Sequence, residues 1–177
     1  MGYTIVTAFD PKSYRIIEDI MQGMDACKIP FGRRCDRIAA DQLLKYHITL
    51  FHWGKEYDEF YLPKLERMPF RPFDVSITSV RQTSAEEGSS LLYFDIKADR
   101  TYRELRQTVF DETGIGMNDG WLHMTLAVDQ DWEKIDSIKR TVESRIRFPF
   151  PLHVEGLDVY QIWKPVKWVR RIRNRDF

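Results

Sequence analysis

A period-two pattern is written twice into this chain. Residues 46–50 read Tyr-His-Ile-Thr-Leu and residues 122–126 read Leu-His-Met-Thr-Leu. In a β-strand, residues i and i+2 share a face while their neighbours point the other way. His47 and Thr49 therefore share one face, opposite Tyr46, Ile48 and Leu50. His123 and Thr125 share a face opposite Leu122, Met124, Leu126 and Val128. Each strand is expected to bury its apolar face and to present an imidazole and a hydroxyl on the other. Two copies of such a segment should arise by chance in roughly one random sequence of this length in a thousand, at ordinary residue frequencies. Coincidence is accordingly set aside.

The segments around these strands repeat as well. Residues 3–9 read as a buried strand, and Asp10-Pro11 starts a helix running to about Met24 with Ile16, Ile17 and Ile20 at helical spacing. Residues 25–40 carry Pro30, Gly32, Arg33, Arg34 and Arg37 and read as a loop. The first His strand covers about 45–53 and stops at Gly54, and residues 56–68 form a short helix closed by Pro69. Residues 73–82 and 91–97 make a hairpin around Gly88, followed by a helix over 100–112. The second His strand spans 121–129. An amphipathic helix over 131–146 follows, with Trp132, Ile135, Ile138, Val142 and Ile146 on one stripe. Residues 148–162 and 166–172 read as a closing strand pair, and Gly156 shifts the apolar phase as a bulge does. The order strand–helix–strand–helix–strand thus occurs twice, with a His strand at the same place in each half. Two similar helix–sheet lobes facing across a cleft follow, within one domain over residues 1–177.

Composition narrows the possibilities further. A length of 177 residues with 43% hydrophobic and 31% charged residues suits one globular domain with a sizeable core. Formal net charge is zero, so no global field draws the chain onto nucleic acid or an anionic membrane. Cys27 and Cys35 form no C-x-x-C and no His–Cys spacing typical of a zinc module, and are expected to be reduced thiols. The first residues lack the basic and apolar regions of a secretory signal, and Val6 breaks the myristoylation pattern. No apolar run has membrane-spanning length. A cytoplasmic location, no membrane contact and a monomer are expected.

His47-Ile48-Thr49-Leu50 and His123-Met124-Thr125-Leu126 resemble the signature of the 2H phosphoesterase superfamily, a pair of H-x-[ST]-x motifs in two pseudo-symmetric lobes. The separation of the motifs and the element order around them are similar to that superfamily over most of the chain. The resemblance implies an α+β fold of two pseudo-symmetric lobes, each an antiparallel sheet with helices on the outside, facing across a central cleft. It also implies cleavage of phosphodiesters such as 2′,3′-cyclic phosphates or 2′-5′ linkages. That chemistry needs one proton taken from the nucleophile and one given to the leaving oxygen. Histidine can do either near neutral pH. Hydroxyl donors beside the non-bridging oxygens stabilise their charge. His47 and His123 are thus the expected catalytic residues, and Thr49 and Thr125 the expected phosphate-binding ones. The scheme requires no metal and no cofactor, and the carboxylate clusters of a two-metal phosphatase are not apparent.

The expected partner is a nucleotide or RNA terminus as substrate. Phe51 shares the face of His47 and Thr49, and Trp121 that of His123; these, with Tyr160 and Trp168 in the closing strands, could stack a base. Arg33 and Arg34, with Arg37, and the tail residues Lys164, Lys167, Arg170, Arg171, Arg173 and Arg175 could track a phosphate backbone. Equally, they could be solvated or edge-protecting charge. His52 falls on the opposite face of its strand, and His153 has no partnering Thr. Both are expected to be structural or exposed. The same acid–base pair would serve the reverse reaction, joining a 2′,3′-cyclic phosphate to a 5′-hydroxyl as a 2′-5′ RNA ligase does. A non-catalytic nucleotide- or RNA-binding module is the remaining alternative, although binding alone does not need two proton-transfer groups.

Overall fold

A computed structural model of the chain describes residues 2–24, 46–54, 58–84, 88–114, 121–161 and 167–173. Among them are seven strands and four helices. In chain order these are β1 (Gly2–Phe9), α1 (Pro11–Met21), β2 (Thr49–Gly54), α2 (Asp58–Arg67), β3 (Phe73–Ser84), β4 (Ser90–Ala98), α3 (Arg100–Thr113), β5 (His123–Asp129), α4 (Trp132–Arg145), β6 (Phe150–Gln161) and β7 (Lys167–Arg173). Three helices start on an aspartate that accepts a hydrogen bond from a first-turn N–H: Asp10 from Ser13, Asp99 from Tyr102 and Asp131 from Lys134. Each satisfies a donor that the helix itself leaves orphaned. Gly114 ends α3 at φ 72°, a left-handed conformation a side chain would resist.

The strand pairs among the described residues are antiparallel, and the sheet runs β2-β1-β6-β3-β4-β5, with β7 also paired to β6. The two halves of the chain repeat as the sequence indicates: β1-α1-β2-α2-β3, then β4-α3-β5-α4-β6. Their third strands are exchanged. β3 pairs with β4 and so completes the lobe of the second half, while β6 pairs with β1 and completes that of the first. The joint between lobes is the short β3–β6 ladder, Phe73↔Val154 to Ile77↔Phe150. The second His-x-Thr motif opens the outer strand β5, and the first runs into the outer strand β2, which begins at Thr49.

These outer strands then meet. Ile48 and Met124 form an antiparallel bridge, which brings the two ends of the sheet together into a nearly closed barrel. Both side chains are buried, at 1% and 0% exposure, in an apolar cluster that includes Ile5, Leu50, Phe94 and Leu126 from the sheet. Ile17 and Ile20 of α1, Leu65 of α2, Leu105 and Val109 of α3, and Ile135 and Val142 of α4 join the same cluster. The helices therefore cover the face that Ile48 and Met124 point into. Fully burying a side chain of that size is worth roughly 1.5–3 kcal/mol relative to leaving it exposed. A slip of one residue would put a His or Thr into that cluster instead, so register is strongly specified.

Three details differ from the sequence expectations. The first His strand enters its ladder at Thr49, not near 45, because Ile48 turns to Met124 and is tied to β1 through Thr7 instead. The Thr7 N–H donates to the Ile48 carbonyl and the Thr7 hydroxyl accepts from the Ile48 N–H, each at 3.0 Å. Val128 is half-buried and Ala127 takes the buried place. An extra residue at Leu126, between the Tyr93↔Thr125 and Leu92↔Ala127 pairs, shifts the alternation. Trp132, at the first position of α4, is 50% exposed and lies off the buried stripe of Ile135, Ile138 and Val142. The bulge expected at Gly156 is present: Ala8 pairs with Gly156 but Phe9 with Val154, leaving Glu155 as the extra residue. Among the described residues no helix is long and apolar enough to cross a membrane.

Candidate active site

The Ile48–Met124 bridge fixes the relation between the two motifs. In an antiparallel register, residues flanking the bridge stand across from one another. His47 therefore faces Thr125, and Thr49 faces His123, all four on the side opposite the buried Ile48 and Met124. Directly opposed side chains have Cβ atoms about 4.5–5.5 Å apart and diagonal ones up to about 7–8 Å. By this register the two histidines are the diagonal pair. His47, Thr49, His123 and Thr125 are each half-buried.

The bulges sharpen this arrangement. Ile5 pairs with Phe51 but Val6 with Thr49, so Leu50 is the extra residue in β2, as Leu126 is in β5. In both motifs the Leu after the Thr is inserted into the strand and buried, at 1% and 0% exposure. A bulge bends its strand and raises the local twist. The same irregularity thus falls at the same place in both motifs.

Register carries the face outward from these four residues. On the second lobe His123 pairs with Asp95 and Asp95 with Ser79, while Thr125 pairs with Tyr93 and Tyr93 with Arg81. The Arg81 Nε–H reaches the Asp95 carboxylate at 3.0 Å and the Ser79 hydroxyl at 3.3 Å. On the first lobe Thr49 pairs with Val6, Val6 with Asp158 and Asp158 with Arg171. Asp158 is fully buried and takes two hydrogen bonds from the Arg171 guanidinium, both 2.7 Å. This bidentate pair pushes the guanidinium pKa further up. Burial, with the field of Asp158, pushes the Tyr14 hydroxyl up to about 12.

His123 sits in an aromatic corner. The Trp121 indole stacks on its ring with centroids 4.2 Å apart and planes 22° off parallel. The Tyr93 ring stands close to perpendicular to both, with centroids 5.1 Å from Trp121 and 5.8 Å from His123. The His123 Nδ1 lies 3.4 Å from the Trp121 carbonyl oxygen. A carbonyl only accepts, so a hydrogen bond here has the proton on Nδ1 and leaves Nε2 without one in the neutral ring.

The remaining expected substrate-binding residues fare differently. Trp121 is 43% exposed at the cleft. Tyr160 is fully buried, so its ring offers no face to a base, and this corrects the expectation for it. Arg171 is engaged by Asp158 and by Glu155 at 3.5 Å, and acts as structural charge, not as part of a phosphate track. Phe51 pairs with Ile5 and Trp168 with Tyr160 through their backbones; their side chains lie outside the described residues, as do Arg33, Arg34, Cys27 and Cys35. His153 is a half-exposed partner of Asp74, at 2.7 Å, in keeping with a structural or surface role. Among the described residues no three His, Cys, Asp or Glu side chains converge as a metal centre would need. Sequence reasoning passes over Thr7, Tyr93, Asp95 and Asp158, whose placement depends on strand partners far away in the chain.

Neither a protein-family model nor a curated protein matches the sequence. Solved structures do. TT0787 of Thermus thermophilus is 17% identical, with a TM-score of 0.51 over 99% of this chain and 100% of that one. A structure described as a phosphoesterase is 12% identical, with a TM-score of 0.50 over 98% of each chain. Usb1 of Kluyveromyces marxianus, solved also with uridine monophosphate, is 12% identical, with a TM-score of 0.48 over 97% of each chain. The α+β fold implied by the resemblance of the motifs is the fold observed, shared along nearly the whole chain with TT0787 and the phosphoesterase.

Proposed function

We propose that the protein is a 2H-type phosphodiesterase that opens a 2′,3′-cyclic phosphate or cleaves a 2′-5′ linkage in RNA or a small nucleotide, without a metal. One of His47 and His123 takes the proton of the attacking water, and the other gives a proton to the leaving ribose oxygen as its P–O bond breaks. Thr49 and Thr125 donate to the non-bridging oxygens, where charge builds up in the transition state. The observation that supports this reading is the Ile48–Met124 bridge, which joins the two segments that carry the His-x-Thr motifs. The fold shared with a solved phosphoesterase agrees with it.

The test is turnover of nucleoside 2′,3′-cyclic phosphates and a 2′-5′ dinucleotide in EDTA. His47→Ala or His123→Ala should lower the rate by about a hundredfold or more, the scale of a lost general acid or base. Thr49→Ala or Thr125→Ala should cost about tenfold to a thousandfold, as for one lost oxyanion donor. Strict dependence on added Mg²⁺ or Mn²⁺ would overturn the reading, as would wild-type rates in the double His variant.

A further inference from the structure

The aromatic corner around His123 does something the two-histidine scheme does not require. Trp121 lies two residues before His123, so both stand on the cleft side of the strand and its extension. Their rings are close to parallel at 4.2 Å, while the Tyr93 ring lies beside both and nearly perpendicular to them. Tyr93 is itself 7% exposed and lies across the ladder from Thr125, so it is a fixed wall. An unrestrained histidine at this position could turn about χ1 and χ2 into several rotamers. Here the indole covers one face of the ring, the tyrosine ring stands beside it, and the Trp121 carbonyl lies on the Nδ1 side.

We propose that Trp121 is a positioning residue for catalysis. Its indole and its carbonyl together hold the His123 imidazole in the orientation that turns Nε2 to the scissile phosphate. This rests on the phosphodiesterase reading for its catalytic consequence, but not for the stack itself. One face of the indole is thereby taken up by the imidazole, so the first role of Trp121 is toward the enzyme's own histidine and not toward a nucleobase. A base platform and a positioning residue differ in what they affect. A platform contributes to binding of substrates that carry a base. A positioning residue contributes to the rate for every substrate, because a misplaced acid or base costs rate whatever the leaving group is attached to.

The experiment compares Trp121→Leu and Trp121→Phe with the wild type on two substrates, uridine 2′,3′-cyclic phosphate and the base-free methyl riboside 2′,3′-cyclic phosphate. Trp121→Leu should lower kcat by about tenfold to a hundredfold on both, with KM little changed, the scale of a modest misplacement of a catalytic group. Trp121→Phe, which keeps a ring to stack, should recover most of the rate. In parallel, proton NMR of the histidine ring signals, assigned through His123→Gln, should show the His123 resonances shifted upfield by the indole. They should move back downfield in Trp121→Leu while the signals of His153 stay in place. A loss confined to KM on the uridine substrate would make Trp121 a base platform and overturn the proposal. His123 signals unmoved by Trp121→Leu would overturn it as well. If the wild type turns over neither substrate, the proposed function falls, and the ring signals alone decide whether Trp121 holds His123.

Discussion

Replacing Thr7 by Val tests the link between the core and the cleft. Thr7 is 1% exposed, and its hydroxyl is the acceptor for the Ile48 N–H at 3.0 Å. Val has nearly the same shape, so the packing stays and only the acceptor goes. The Ile48 N–H is then left buried without that partner, which costs about 1–3 kcal/mol. At about 2.1 cal/mol/K per residue, the unfolding entropy of a 177-residue chain is near 0.4 kcal/mol/K, so Tm should fall by about 3–8 °C. Calorimetry reads that directly. The same substitution loosens the segment that carries His47 while leaving His123 on its own ladder. Turnover should therefore fall by about tenfold or more from a small displacement of one catalytic group, and the ring signals of His123 should not move. Thr7→Ser keeps the hydroxyl and should retain most of both stability and rate. A Thr7→Val variant with unchanged Tm and unchanged rate would refute the idea that this hydrogen bond anchors the first motif.

Two further outcomes are expected. Arg171→Met leaves Asp158 buried without its guanidinium and should cost about 3–5 kcal/mol in chemical denaturation, whereas pairing it with Asp158→Leu should recover most of the loss; a single variant within about 1 kcal/mol of wild type, the value of an exposed pair, would show that the pair is weaker than its burial indicates. Tyr14 titrates at about 12 in the folded protein against 10.0 for a free tyrosine, so its contribution is complete below pH 10 and is lost as pH rises toward 12. Tyr14→Phe should flatten the fall in stability over that window, and an unchanged alkaline limb would count against the assignment.

Much of this is legible in the sequence because period and punctuation are local. The alternation around His47 and His123 gives the buried side correctly, since Ile48, Leu50, Met124 and Leu126 are all buried. Asp10-Pro11 marks the start of α1, and Gly156 marks the bulge in β6. Partners are a different matter. Nothing in the residues of β3 or β6 says that each completes the other half's lobe, because pairing is decided by which edges meet after collapse. The inserted Leu50 and Leu126 are likewise invisible to an alternation argument, which is why that argument puts Val128 on the buried face. Tyr160 reads like any strand aromatic, and only the packed molecule reveals that it is fully buried. The Trp121–His123 spacing is visible in the sequence, but the angle between the rings is not.

The exchanged strands also govern the order in which the chain can become whole. β1 meets β6 at partners about 150 residues further along, from Tyr3↔Gln161 to Phe9↔Val154. Such distant contacts slow folding, because a long loop must close before they stabilise anything. On a ribosome the first lobe must wait, with one edge of β1 open, until nearly the last strand has emerged. The second lobe has β3, β4 and β5 consecutive in the chain and can assemble earlier. The half that is written first is therefore finished last.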